Sequence, residues 1–505
     1  MKDFSNVSHY QKTIHPIECP RMPWHDVHCE HWGAIARDIA RHFVQQWNHA
    51  RFSTLSAKLP ELIPMDFLPD QYYESEDDVF VLNLPKAAPT NLDVVWEKQE
   101  EASEPNKDVE SDNDTIIDEL DFKAEEKNEV PNEVLHPSSP VLRVSRSSSA
   151  EYLDHLSQYD GAWNMTGNLT SHDKGWPVRG QVLRSRGLWS GNAPVENEIS
   201  IQHSMIELID NAKSFIYIEN QFFISGLDSD EVVINRVTSA LFKRILRAHE
   251  SNAEFKVYIM LPLLPGFEGS VLDSPAIRRV LYYQYKTICR GEFSLYQNLL
   301  SNGIDPDEYI GFFALRKWES YLENLSTELI YVHSKVMIID DTTCIIGSGN
   351  INDRSLVGYR DSEVAVVMSD DPKSNRGDSF VKSLRVSLFS EHWSTSTEEV
   401  GNAILNPGTS ENFKVLKSVA TRNTELYEQV FENIIPSDRI RTAGDLKKCP
   451  RRDFISVEFT PERQVKLSSL MGHVVEYPLL FLSLVGDELK PVDTAGLFLG
   501  EKLYL

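Results

Sequence analysis

The sequence predicts an α/β protein in which a mixed β-sheet is flanked by helices, interrupted by a disordered acidic insertion. Three observations carry this prediction. Strand-length apolar runs alternate with stretches of helical period from about residue 195 to residue 400. A separate helical stripe stands near the start of the chain. Between the two lies a segment too polar to build a core.

The first helix spans Ala34–Trp47, where Ile35, Ile39, Phe43 and Trp47 recur every four positions and mark one face to be buried. Residues 74–150 are dominated by Asp, Glu, Ser, Asn and Pro. Between Glu97 and Val130 alone there are fourteen acidic and four basic residues, a local net charge of −10. This segment ends in Arg143-Val144-Ser145-Arg146-Ser147-Ser148-Ser149, read as a solvated linker in preference to a phosphorylation site. After it come a helix at Ile199–Ala212, a strand at Phe215–Ile218, a helix at Glu231–Ala248 and a strand at Phe255–Leu261. Further strands are predicted at Tyr309–Ala314, Ile330–Ile339, Thr343–Ile346 and Glu363–Met368, then helices at Asp378–Leu388 and Glu425–Ile434.

Bulk properties narrow the function. The chain has 505 residues, 41% hydrophobic and 25% charged, and a formal net charge of −26. That balance argues against a nucleic-acid partner, because such binding neutralises phosphates with Lys and Arg. The five cysteines (Cys19, Cys29, Cys289, Cys344 and Cys449) form no CxxC pair and read as reduced cytosolic thiols. Met1–Asn6 is polar, without the apolar core of a secretory signal. The best apolar run, Tyr477–Val485, is about half the ~18–20 residues needed to span a bilayer. Cytoplasmic localisation with peripheral membrane contact is the expectation.

The sharpest local feature is Tyr331-Val332-His333-Ser334-Lys335-Val336-Met337-Ile338-Ile339-Asp340. Residues two apart in a strand share a face, so His333 and Lys335 point the same way while Val332, Val336 and Ile338 anchor the opposite face. Asp340 ends the strand. The next strand leads into Gly347-Ser348-Gly349-Asn350, a small-residue loop that could approach a ligand closely. A histidine works as nucleophile or acid near neutral pH, a lysine holds phosphate oxygens, and Ser348 and Asn350 offer neutral donors. A lone strand histidine is more often structural, and on the residues alone the two readings stand level.

The motif His333-x-Lys335-xxxx-Asp340 and the stretch Gly347-Ser348-Gly349-Asn350-Ile351-Asn352-Asp353-Arg354-Ser355 resemble the HxKxxxxD and GSxNINDRS signatures of eukaryotic phospholipases D. Ile218-Glu219-Asn220-Gln221-Phe222-Phe223, Leu261–Gly269, Cys289–Glu292, Pro20-Arg21-Met22-Pro23-Trp24-His25-Asp26 and Ala36–Phe43 are similar to the animal and fungal phosphatidylcholine-hydrolysing branch. The resemblance covers most of 1–50 and 150–400, is weaker to 485 and is absent from the acidic insert.

The resemblance implies a phospholipase D/nuclease-like half-domain that cleaves phosphatidylcholine to phosphatidic acid and choline through a phosphohistidine, with water or a primary alcohol as acceptor. It implies no metal or cofactor. His333 corresponds to the general acid, Lys335 to a phosphate ligand, and Asp340 to a support for the local structure or a histidine. Ser348 and Asn350 would bind the substrate phosphate, and Glu219, Asn220 and Gln221 would lie near the pocket. The implied partners are a glycerophospholipid membrane surface and, from the family, phosphoinositide and small GTPase regulators.

The domains expected are an inter-motif region at 1–73, the insertion at 74–150, a second catalytic half at 151–400 and an extension at 401–505. The family pairs two HxKxxxxD motifs, yet of the fifteen histidines only His333 completes one; His172 has Lys174 but Arg179 in place of the acid. The expected position of the other motif is just ahead of Pro20–Asp26. Three arrangements follow: part of a two-motif enzyme, a shortened noncatalytic form, or a homodimer, the last ranked lowest because the lipid branch packs both halves in one polypeptide. The phosphoinositide-binding basic cluster is reduced to Arg51 and Lys58 within 48–75, and the terminal Gly496–Leu505 lacks the Trp-Thr tail of animal relatives.

Overall fold

The computed structural model describes residues 22–53, 175–191, 197–485 except 268, 272, 322, 374–378 and 450–454, and Leu489. The acidic segment 74–150 lies outside these residues, and those described belong to one compact unit. The predicted class is observed: a large mixed sheet with helices packed on it.

In chain order the strands are β1 (Trp24–His25), β2 (Val178–Gly187), β3 (Asn197–Ile199), β4 (Phe215–Glu219), β5 (Lys256–Met260) and β6 (Ile310–Tyr321). They continue with β7 (Asn324–Val332), β8 (Val336–Ile339), β9 (Thr343–Gly347), β10 (Glu363–Asp370), β11 (Ile455–Glu458) and β12 (Val474–Glu476). The sheet order is β1-β7-β6-β5-β4-β8-β9-β10-β2-β3, with β11 also on β7 and β12 on β6. Strands β4, β5 and β6 run parallel, and the pairs from β4 through β8, β9, β10 and β2 are antiparallel.

Every residue of β4 and β5 is buried, as expected of parallel strands covered on both faces. On one face Tyr217, Tyr258, Phe313, Val332, Val336, Ile338 and Ile346 meet Phe389 and Trp393 of a helix at Phe380–Trp393. Two further helices, Glu398–Leu405 and Ser410–Val430, add Ala403, Phe413 and Leu416 to this core. Val332, Val336 and Ile338 therefore line the predicted apolar face.

Two predicted elements need correction. The Ile330–Ile339 run is not one strand: β7 stops at Val332, β8 starts at Val336, and His333–Lys335 form the link. The helix foreseen at Glu231–Ala248 begins only at Val237. Its expected first turns are held irregular because the Asp353 carboxylate takes the N–H groups of Ile234 (2.9 Å) and Asn235 (2.8 Å).

The first helix, α1, runs over Ala34–Ser53, but its buried face differs from the predicted stripe. His42 and Val44 are buried, whereas Phe43 is 57% exposed; Ile35 and Ile39 do reach the core. A spacing of four advances about 40° per step around a helix of 3.6 residues per turn. By Phe43 the stripe has therefore drifted off the contact. Among the described residues, Cys29, Cys289, Cys344 and Cys449 are free thiols, as their scattered spacing predicts.

The link 333–335 carries the chain from β7, which pairs with β6 and β1, to β8, which pairs with β4 and β9. The β6–β7 register ends at Leu315 and Ile330. At Phe313 the two neighbours of β6 are Met260 of β5 and Glu476 of β12, so β7 has left β6 before it reaches Val332.

Candidate active site

The site is assembled where the ends of β1 and β7, which pair with each other, meet those of β4 and β8. Two main-chain bonds, Tyr331 N–H to Pro23 O and His333 N–H to His25 O, each 2.8 Å, place β1 beside the motif. The alternation expected of an extended chain survives in the link. Ser334 is fully buried and turned toward the core, while His333, 36% exposed, and Lys335 face the other way.

His333 meets Asp26, whose Oδ2 lies 2.8 Å from its Nδ1. A carboxylate only accepts, so Nδ1 carries the proton and Nε2 is the nitrogen left to exchange one with a ligand. The Trp24 ring packs 5.0 Å from the His333 ring, centroid to centroid. Partial burial works against ionisation of Asp26, but the His333 contact outweighs it and holds the carboxyl below its usual range.

Lys335 donates from Nζ to Gln221 Oε1 at 3.0 Å and to the carbonyl of His333. Gln221 in turn donates to the Tyr331 hydroxyl at 2.9 Å, which also accepts the Gly266 N–H at 3.1 Å. Burial pulls the ammonium down to about 8, against the opposing pull of Asp26 and Glu363. A lysine so placed is a compact positive charge for phosphate oxygens.

Ser348 donates to Glu363 Oε2 at 2.5 Å and accepts the Val364 N–H at 3.1 Å. Glu363 also receives the Ser355 hydroxyl at 2.7 Å; burial raises its carboxyl despite these bonds. Asn350 has a buried Oδ1 without a hydrogen-bond partner. Gly347 is small for a structural reason, since a Cβ there would lie 2.4 Å from that of Ala365 on β10. Its size thus serves strand packing, whereas a Cβ at Gly349 would meet nothing nearer than 3.6 Å.

Asp340 is not part of this cluster. Its carboxylate accepts the backbone N–H groups of Lys213, Ser214 and Phe215 at 2.6, 2.7 and 2.9 Å. Of the two supports foreseen for it, it provides that of the local structure. Asn220 likewise binds main chain: its Oδ1 accepts from Phe222 (3.2 Å) and Ile351 (3.1 Å), tying the loop after β4 to the loop after Asn350. The structure thus brings together His333, Lys335 and Gln221, and places Asp340, Asn220 and Glu219 as supports.

Glu219 lies beneath the site with no solvent exposure. It accepts from His25 Nε2 (2.9 Å), His392 Nε2 (2.9 Å), the Ser334 hydroxyl (2.5 Å) and the Tyr217 hydroxyl. Burial opposes its charge, but the two histidine bonds prevail and keep the carboxyl well below the carboxylate range. Burial also works against charging His25, and Glu219 reverses it, raising His25.

Asp26, His25, His392 and Glu363 were missed as individual residues by sequence reasoning. The first two lay in the quoted Pro20–Asp26 stretch, where a His-Asp pair after an apolar aromatic was the available signal. Glu363, a charge opening an apolar strand, was a weaker one.

The Phospholipase D family profile matches residues 1–106, 141–328 and 322–437. The chain belongs to the phospholipase D family. It is 36% identical over 504 residues to phospholipase D zeta 2 of Arabidopsis thaliana, covering 92% of this chain and 46% of that protein. With human phospholipase D1 the identity is 32% over 476 residues, covering 92% of this chain and 35% of that one. The chain thus spans less than half the length of these curated relatives. A solved phospholipase D family member, Nuc from Salmonella typhimurium, aligns at a TM-score of 0.22 and 18% identity over 39% of this chain and 86% of its own, too little to carry an argument.

Proposed function

We propose that this chain supplies the proton-donating half of a phospholipase D-type phosphodiesterase acting on phosphatidylcholine at a membrane face. The Asp26–His333–Lys335 arrangement carries this reading. Lys335 takes the phosphate oxygens, and protonated His333 gives its Nε2 proton to the leaving alcohol oxygen as the P–O bond breaks. In the family scheme the phosphorus passes to the nitrogen of a second histidine. Water or a primary alcohol then attacks phosphorus, giving its proton back to His333, and phosphatidic acid or a phosphatidylalcohol leaves. Among the described residues no helix is long and apolar enough to cross a membrane, so the reading takes lipid from the surface.

A second reading is favoured by the histidine census: only His333 completes the HxKxxxxD pattern. On that reading the chain binds phospholipid without turning it over. A fluorescent phosphatidylcholine assay with butanol as acceptor separates the two. Phosphatidylbutanol that disappears in His333→Asn supports catalysis by this chain. No product at any protein concentration sinks it and leaves the binding reading.

A further inference from the structure

His25 and Asp26 are consecutive, and so are His333 and Ser334. Consecutive side chains of an extended segment leave opposite faces. The outward members, Asp26 and His333, make the 2.8 Å contact of the candidate site. The inward members, His25 and Ser334, both end on one atom, Oε2 of Glu219. The other oxygen, Oε1, is held by His392 and Tyr217.

We propose that Glu219 is a positioning residue for His333, which rests on the role given to His333 under Proposed function. By gripping His25 and Ser334 together, it fixes the register in which Asp26 faces His333. β1 needs such a grip, because it is only two residues long. A slip of one residue exchanges inward and outward side chains along a strand. Here that slip would bury Asp26 and turn His25 outward, removing the partner of His333. Glu219 selects against it because His25 is a donor that a buried carboxylate accepts, and Asp26 is not.

His25, Glu219 and His392 are also residue types that ligate metals, and their ligand atoms lie within 4.8 Å of one another. Two donors on each oxygen already fill the four lone-pair positions of the carboxylate, however. With both histidines donating, the cluster is a hydrogen-bond clamp.

The test follows the ring nitrogens of His333 by NMR in the full chain labelled with 15N-histidine, assigned by their loss in H333Q. In the wild type His333 holds the Nδ1–H tautomer. In Glu219→Gln the ring loses that preference and its shifts move to those of Asp26→Asn. Ser334→Ala removes one tie and leaves the charge, so its shifts move part of the way. Glu391→Gln, altering a contact 3.5 Å from His25 on the solvent side, leaves His333 as in the wild type.

Wild-type His333 shifts in folded E219Q and S334A would overturn the proposal. If E219Q does not fold, S334A decides alone. Dialysis of the wild type against EDTA that reproduces the E219Q shifts would make the cluster a metal site and also overturn it. Because the readout is a ring nitrogen and not turnover, failure of the butanol assay leaves the clamp testable, and failure of the clamp leaves the phosphodiesterase reading intact.

Discussion

Asp26 and His333 stand 307 positions apart in the sequence and 2.8 Å apart between Oδ2 and Nδ1. The contact fixes which histidine nitrogen carries the proton, and replacing the acid with an amide removes that constraint. Asp26→Asn is therefore expected to lower kcat for phosphatidylbutanol formation by roughly 10²–10⁴, the scale of general acid–base catalysis, with a smaller effect on KM. Steady-state kinetics on vesicles checks this.

Lys335 loses its proton near pH 8, because burial penalises the charge more than Asp26 and Glu363 favour it. Affinity that depends on this charge is present below about pH 8 and lost as pH rises through it. Calorimetry with a short-chain phosphatidic acid, whose phosphate is already doubly charged above pH 7, should show about a tenfold loss between pH 7 and 9, the scale of one charge-assisted hydrogen bond. Lys335→Arg keeps its charge throughout, so its affinity should stay level across this range.

Asp340 offers a contrast. Its three main-chain bonds support the start of β4 and none reaches His333 or Lys335. Asp340→Ala is expected to cost about 1–3 kcal/mol of stability, measured by urea unfolding, through the donors it leaves unpaired. Phosphatidic acid affinity of the folded variant should match the wild type. A large selective loss of affinity would return Asp340 to the site.

The buried cluster predicts a stability profile with two limbs. Glu219 sits below its ordinary 4.5, so its contribution is present above that value and lost as pH falls through the lowered one. His25 is raised above 6.5, so its contribution is complete below 6.5 and lost as pH rises through the raised value. Thermal unfolding across pH should show both declines, and His25→Gln should flatten the alkaline one.

The strands were the legible part of the sequence. β4, β5, β8 and β9 are buried on both faces and stand out as apolar runs, and the Val332, Val336 and Ile338 face followed from alternation alone. β2 was not legible, because Arg179, Arg184 and Arg186 interrupt it. Two of those charges are met by Glu198 on neighbouring β3, a pairing that only the fold supplies. The break at 333–335 was hidden for a different reason. Alternation persists through the link, so periodicity cannot distinguish a continuous strand from one that changes neighbours. At the site, His333 and Lys335 were readable from motif spacing and Glu219 from its stretch, whereas Asp26 and the bonds that Glu219 makes depend on contacts between segments far apart in the sequence.

The three residues between β7 and β8 are a junction at which the chain exchanges one pair of neighbours, β6 and β1, for another, β4 and β9. Two of the residues that would handle phosphate are thus a joint of the sheet. One residue inserted between His333 and Lys335 would turn them to opposite faces while β7 and β8 kept their partners. In this chain the spacing of the motif is therefore an architectural dimension as well as a chemical one.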